Sequence, residues 1–132
     1  MGAVKGDRGQ ALLLVVVALG ISAAVIVGLR YAQDRVVTDA RVQRAGEAAV
    51  EAAAAAVADR YIRDRGSAKN LPHDDRVLED ARAAAQDLAR KNGGGAIDSL
   101  AVTCTQVGLE VSLVMNGHTH RAGFDASECS QP

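Results

Sequence analysis

Residues 11–29, Ala-Leu-Leu-Leu-Val-Val-Val-Ala-Leu-Gly-Ile-Ser-Ala-Ala-Val-Ile-Val-Gly-Leu, contain no charged side chain. As an α-helix this run spans about 28 Å, close to the roughly 30 Å hydrocarbon layer of a bilayer. Arg8 borders it on one side and Arg30 ends it on the other. The rest of the chain is too small to enclose such a helix in a soluble core. A removable secretory signal has a shorter apolar run that ends in small residues suited to cleavage, whereas this one leads straight into Arg30-Tyr31. The run therefore reads as a transmembrane helix, and its first partner is the lipid bilayer.

Gly20, Ala24, Gly28 and Ala32 recur every four residues and fall on one helix face. Small residues at that spacing let a second helix approach closely in a membrane, so this strip is the expected helix-packing face. Orientation is less direct. Lys5 and Arg8 precede the run and Arg30, Arg35, Arg41 and Arg44 follow it. The count of basic residues alone would place the C-terminal side in the cytoplasm.

From Arg30 to about Arg65 the chain has no Pro and one internal Gly, Gly46, and is rich in the helix formers Ala, Arg, Glu and Gln. Val36, Ala40, Val50, Ala54, Val57 and Tyr61 make a roughly heptad stripe, interrupted by Gln43 and Glu47. Glu47–Glu51 is an unfavourable like-charge pair one turn apart, and Asp59–Arg63 a favourable one. Gly66-Ser67 supplies a stop. Joined to the apolar run, this stretch predicts a helix roughly 80 Å long. Its polar half has little to hold it except neighbours.

Residues 68–75 read as a loop, and Asp75–Lys91 as a second helix with Asp74 or Asp75 favourable at its N-terminus. The apolar face of that helix is Val77/Leu78, Ala81, Ala84/Ala85 and Leu88. Asn92-Gly93-Gly94-Gly95 follows as a C-cap and flexible link. The pattern then changes to period two, with Leu100, Val102 and Cys104 in one strand and Val107 to Met115 alternating in the next. Asn116-Gly117 is a strong hairpin turn because both positions need φ > 0. A two-residue turn pairs Met115 with His118, Leu113 with His120, Val111 with Ala122 and Leu109 with Phe124. These side chains share one face, the buried one, beneath the second helix and the top of the long one.

In such a meander the first and third strands end on the same edge of the sheet, about 10 Å apart. Cys104 ends the first, and Cys129 lies on a tail that reaches about 16 Å beyond Phe124. A Cys104–Cys129 disulfide is therefore easy, and closing a loop of about 25 residues contributes about 3 kcal/mol. Disulfides persist outside the cytoplasm. The cysteines thus argue for an exported C-terminal head and a cytoplasmic N-terminus, against the basic-residue count.

The chemistry of most function classes is missing. With 2% aromatic residues and no Trp, the chain has no material for an aromatic-walled pocket or a base-stacking surface. A net charge of −1 and alternating Lys/Arg and Asp/Glu give no groove for nucleic acid. His118-Thr-His120 lacks a third ligand at motif spacing, with His73 far away in sequence, and reads as a partly covered structural pair. Nucleophile elbows, His-Glu-x-x-His pairs and Cys-x-x-Cys motifs do not occur. No catalytic residue, metal site, cofactor, small-molecule substrate or nucleic-acid partner is expected, and the protein is not read as an enzyme.

Asp7-Arg8-Gly9-Gln10-Ala11, leading at once into the span, resembles the N-terminus of the TadE/TadG-like proteins of bacterial tight-adherence (Flp-type) pilus systems. The helix that continues into Ala48-Ala49 and Ala52–Ala56 resembles the Ala-rich stretch of that family, so the resemblance covers about residues 7–60. It implies an envelope-anchored pilus-assembly subunit with the N-terminus inside, in a homo- or hetero-oligomer with other pilin-like or Tad-system envelope proteins. In pilin-like members a peptidase cuts after a Gly bordering the span, here between Gly9 and Gln10. Such members usually carry Glu at the fifth mature position, where this chain has Leu14, and TadG-type members often lack processing. The expected architecture is α+β and pilin-like, a lollipop in which a transmembrane helix continues as a stalk. It divides into a cytoplasmic segment 1–10, a span 11–29, a shaft 30–66 and a small head 67–132. The competing expectation is a solitary anchor whose head binds a partner or ligand through the hairpin or the Gly93–Gly95 hinge.

Overall fold

The computed structural model describes residues 7–64 and 68–129, with the backbone alone for 7–10. The fold is α+β. Helix α1 runs Asp7–Arg63, and a one-turn 3-10 helix at Leu71–His73 leads to helix α2, Asp75–Lys91. Strands β1 (Ile97–Cys104), β2 (Gly108–Met115) and β3 (His118–Asp125) follow, and then a 3-10 turn at Ser127–Cys129. The expected Gly66-Ser67 stop lies outside the described residues.

Two compact units make up the chain, Met1–Thr38 and Asp39–Pro132. The described part of the first, from Asp7 to Thr38, is helical and belongs to α1, which has no charge between Ala11 and Leu29. The second holds the core. Its boundary falls inside α1, so the end of the expected shaft belongs to the head rather than standing apart from it.

Small side chains at four-residue spacing explain this. Ala45, Ala49, Ala53 and Val57 of α1 are buried in one cluster with Val77, Ala81, Ala85 and Ala89 of α2 and Leu109, Val111, Leu113 and Met115 of β2. Residues four apart share a helix face, so each helix presents an alanine row to the interior. The sequence-derived stripe finds Val50, Ala54, Val57 and half-buried Tyr61. It misses the row Ala45, Ala49 and Ala53, and its Val36 and Ala40 are exposed.

The sheet is an antiparallel meander in the order β1-β2-β3. Its β2–β3 register is the one a two-residue turn dictates, with Met115 opposite His118 and Leu109 opposite Phe124. Asn116 (φ 52) and Gly117 (φ 75) both lie in the left-handed region. In β1, Leu100, Val102 and Cys104 face Leu113, Val111 and Leu109, as alternation predicts. An irregularity between Ile97 and Ser99 adds a residue to β1 and brings Ile97 into the core. An inserted residue reverses the alternation, which is why period two alone starts the strand too late.

The glycines after α2 are pinned, not flexible. Gly93 (φ +73) donates to the Arg90 carbonyl and Gly94 to the Ala89 carbonyl, the paired bonds of a Schellman cap. A Cβ on Gly94 would sit 2.8 Å from Ala45 Cβ and 3.2 Å from Met115 Cε. The Gln86 side chain donates to the Gly95 carbonyl and accepts from the Ile97 N–H at 3.1 Å. A hinge at Gly93–Gly95 would have to break all of these.

A disulfide joins Cys104 to Cys129, with Cα atoms 5.3 Å apart. It ties the end of β1 to the last turn. Tyr61 OH donates to Glu128 of that turn, and the Tyr61 ring lies 5.8 Å from that of Phe124. The Ser127–Cys129 turn is thus held by a covalent bond and by a contact with the end of α1.

Candidate functional site

The apolar run is a continuous unpartnered apolar surface. None of its most apolar window is buried by the rest of the chain. Its Leu, Ile and Val side chains are 48–70% exposed. A helix that is apolar all round belongs in a protein core or in lipid, and here no core surrounds it. The helix is long and apolar enough to cross a bilayer.

Its polar atoms suit that environment. A helix satisfies its own backbone groups, as a bilayer demands. The only hydroxyl in the run, Ser22 Oγ, donates to the Ala18 carbonyl at 2.8 Å. Just past Arg30, the Arg35 guanidinium stands 5.1 Å over the Tyr31 ring. Tyr with Arg is a pairing typical of the lipid–water boundary.

Gly20, Ala24, Gly28 and Ala32 are all exposed on α1. A Cβ added at Gly20 or Gly28 would meet nothing within 4 Å. These glycines therefore solve no packing problem inside the chain. A ridge with four-residue spacing is inclined to the helix axis, and a partner seated on it crosses at about −40°. For the Gly9–Gln10 junction only the helical backbone is described, and the side chains lie outside the described residues.

The histidines separate. His118 is exposed, whereas His120 is 5% exposed and its Nε2 has no hydrogen-bond partner. A Cβ on Gly46 would fall within 2.1 Å of that Nε2. Gly46 is therefore the place where α1 makes room for the β3 imidazole. The sequence shows Gly46 only as a helix weakener; its lone position in an Ala-rich helix was the available signal. His73, the third histidine, is exposed at the end of its 3-10 turn. Among the described residues, no three His, Cys, Asp or Glu side chains converge where they could hold a metal ion.

Two charge pairs among the described residues lie at the surface. Lys91 Nζ lies 2.6 Å from Asp87 Oδ2, and the hydrogen bond from Lys91 holds the Asp87 carboxyl below the usual range. Arg121 Nε and Glu110 Oε1, on the outer face of the sheet, are 3.9 Å apart.

Set against models of protein families, curated proteins and solved structures, the chain matches none of them.

Proposed function

We propose that this protein is a membrane-anchored structural or accessory subunit of a tight-adherence-type pilus or a related secretion assembly, pilin-like in its working parts. It spans the bacterial cytoplasmic membrane once, with its N-terminus in the cytoplasm and residues 39–132 outside. It acts by helix–helix packing in the membrane, through Gly20, Ala24, Gly28 and Ala32. The observation that carries this reading is the bare apolar helix, whose two glycines face open space.

The disulfide supports the orientation, because such bonds persist outside the reducing cytoplasm. The N-terminal and Ala-rich resemblance to TadE/TadG-like chains supports the kind of assembly. Residues 39–132 would then be the displayed part, closed by the disulfide against an oxidising and proteolytic environment.

Intact-mass measurement of the protein isolated from its own cells tests the whole reading. The expected chain is two hydrogens lighter than the reduced one, and a chain that starts at Gln10 would identify the pilin-like type. A chain that keeps Met1 and has two free thiols would overturn both the exported domain and the pilin-like role.

A further inference from the structure

The two edges of the sheet are finished differently. On the β1 edge, Gln86 of α2 caps the strand's entry by bonding the Gly95 carbonyl and the Ile97 N–H. A side-chain amide there takes the place of a neighbouring strand. Among the described residues, none covers the β3 edge in this way. A two-residue hairpin makes Met115–His118 a hydrogen-bonded pair, and such pairs recur at every second position of an antiparallel ladder. His120, Ala122 and Phe124 therefore turn their backbone groups toward β2, while Thr119, Arg121, Gly123 and Asp125 turn theirs outward. All four of these residues are exposed.

Helix α1 forms a ledge beside that edge. A cleft of about 240 Å³ is lined by Gln43, Glu47 and Glu51 of α1 and by Thr119, His120 and Arg121 of β3. An edge strand running beside a helix is the geometry in which extended peptides add to a sheet. The ledge is acidic. Glu47 and Glu51, both exposed, stand one turn apart on it, and Glu47 accepts from Gln43 Nε2 at 3.2 Å. Like charges at this spacing weaken a helix, and a cation between them relieves it. Arg121 borders the cleft as well, with its Nε 3.9 Å from Glu110 Oε1 on the outer face of the sheet, so the two α1 carboxylates outnumber the one guanidinium there.

We infer that the β3 edge is a docking site for an extended, basic segment of a partner protein, which adds as a fourth strand. Its backbone pairs with Thr119, Arg121 and Gly123. Its side chains opposite His120 and Ala122 point toward α1, and lysine or arginine there meets Glu47 and Glu51. Residues 39–132 carry every contact, so the site does not depend on the membrane reading.

The test uses the full chain in detergent micelles and a capped octapeptide of alternating Lys and Thr, read by amide hydrogen exchange. Exchange is expected to slow at Thr119, Arg121 and Gly123 and to stay unchanged at His120 and Ala122, which are already paired. The double variant Glu47→Lys with Glu51→Lys should bind this peptide about tenfold more weakly and should favour the peptide in which Glu replaces Lys. Both positions are exposed, and unchanged exchange at His120 and Ala122 in the free variant verifies its fold. Absence of new protection on β3, or equal affinity in the variant, overturns the proposal. Protection that grows with protein concentration without peptide overturns it as well, and makes a second copy of the chain the occupant.

Discussion

Gly46 and His120 fit against each other with no room for a side chain at residue 46. Any side chain at residue 46 meets the imidazole ring, and overpacking of this kind costs about 1–3 kcal/mol. Gly46→Ala is therefore expected to lower stability by about 2 kcal/mol in urea unfolding. Adding His120→Ala should recover part of that loss, so the two substitutions should be strongly non-additive. Additive costs would place the strain elsewhere. A second residue-scale expectation concerns Asp87, whose carboxyl the Lys91 ammonium holds below the usual range. A lowered carboxyl favours the folded chain above the ordinary Asp range, and this contribution is lost as pH falls through the lowered value. Lys91→Met should move the Asp87 titration upward, as followed by carboxyl-carbon NMR, and remove that part of the acid dependence.

At the scale of elements, the three-stranded meander was legible in the sequence except at strand starts. Ile97 was missed. Val107, expected in the second strand's buried alternation, lies before β2 and is 81% exposed because the chain is still turning there. Strand alternation and the Asn116-Gly117 turn set the register without reference to the rest of the chain, because both are local. The Cys104–Cys129 pairing followed from the same register. Removing it with Cys104→Ser and Cys129→Ser together should cost about 3 kcal/mol. A thermal melt of the oxidised and the doubly substituted chain checks this, and coincident melts would mean that Tyr61 and Glu128 hold the last turn unaided. The helical core was harder to read. Ala45, Ala49 and Ala53 are buried, yet Ala55 of the same run is exposed. Alanine is equally at home on either side of a helix, so hydropathy cannot tell the faces apart. The glycines after α2 were misleading for a related reason. Composition suggests freedom, whereas the Schellman bonds and Ala45 remove it. Within the apolar run, Gly20→Leu with Gly28→Leu should leave residues 39–132 unchanged and reduce cross-linked oligomers in the membrane severalfold. Undiminished cross-linking would argue against the small-residue strip as the packing face.

The whole molecule combines two kinds of stability. In the proposed membrane setting the apolar part of α1 relies on lipid around a self-satisfied helix, and the unit from Asp39 onward relies on its own core and disulfide. In micelles, guanidinium should therefore abolish the core's near-ultraviolet signal from Tyr61 and Phe124 while a helical far-ultraviolet signal from residues 11–29 persists. Loss of both in one transition would mean that the two units stabilise each other.

The sequence by itself determined where the bilayer-length helix lies, the hairpin and its register, and which cysteines pair. Each of these depends on a run, a period or a turn whose physics involves near neighbours in the chain. Only the tertiary structure decided which alanines are core, why Gly46 stands in α1, that the head begins inside that helix, and that Gln86 caps the entry of β1 at one sheet edge. Those features depend on what lies across a contact between segments far apart in sequence. Alanine and glycine have too little side chain to announce which partner they face.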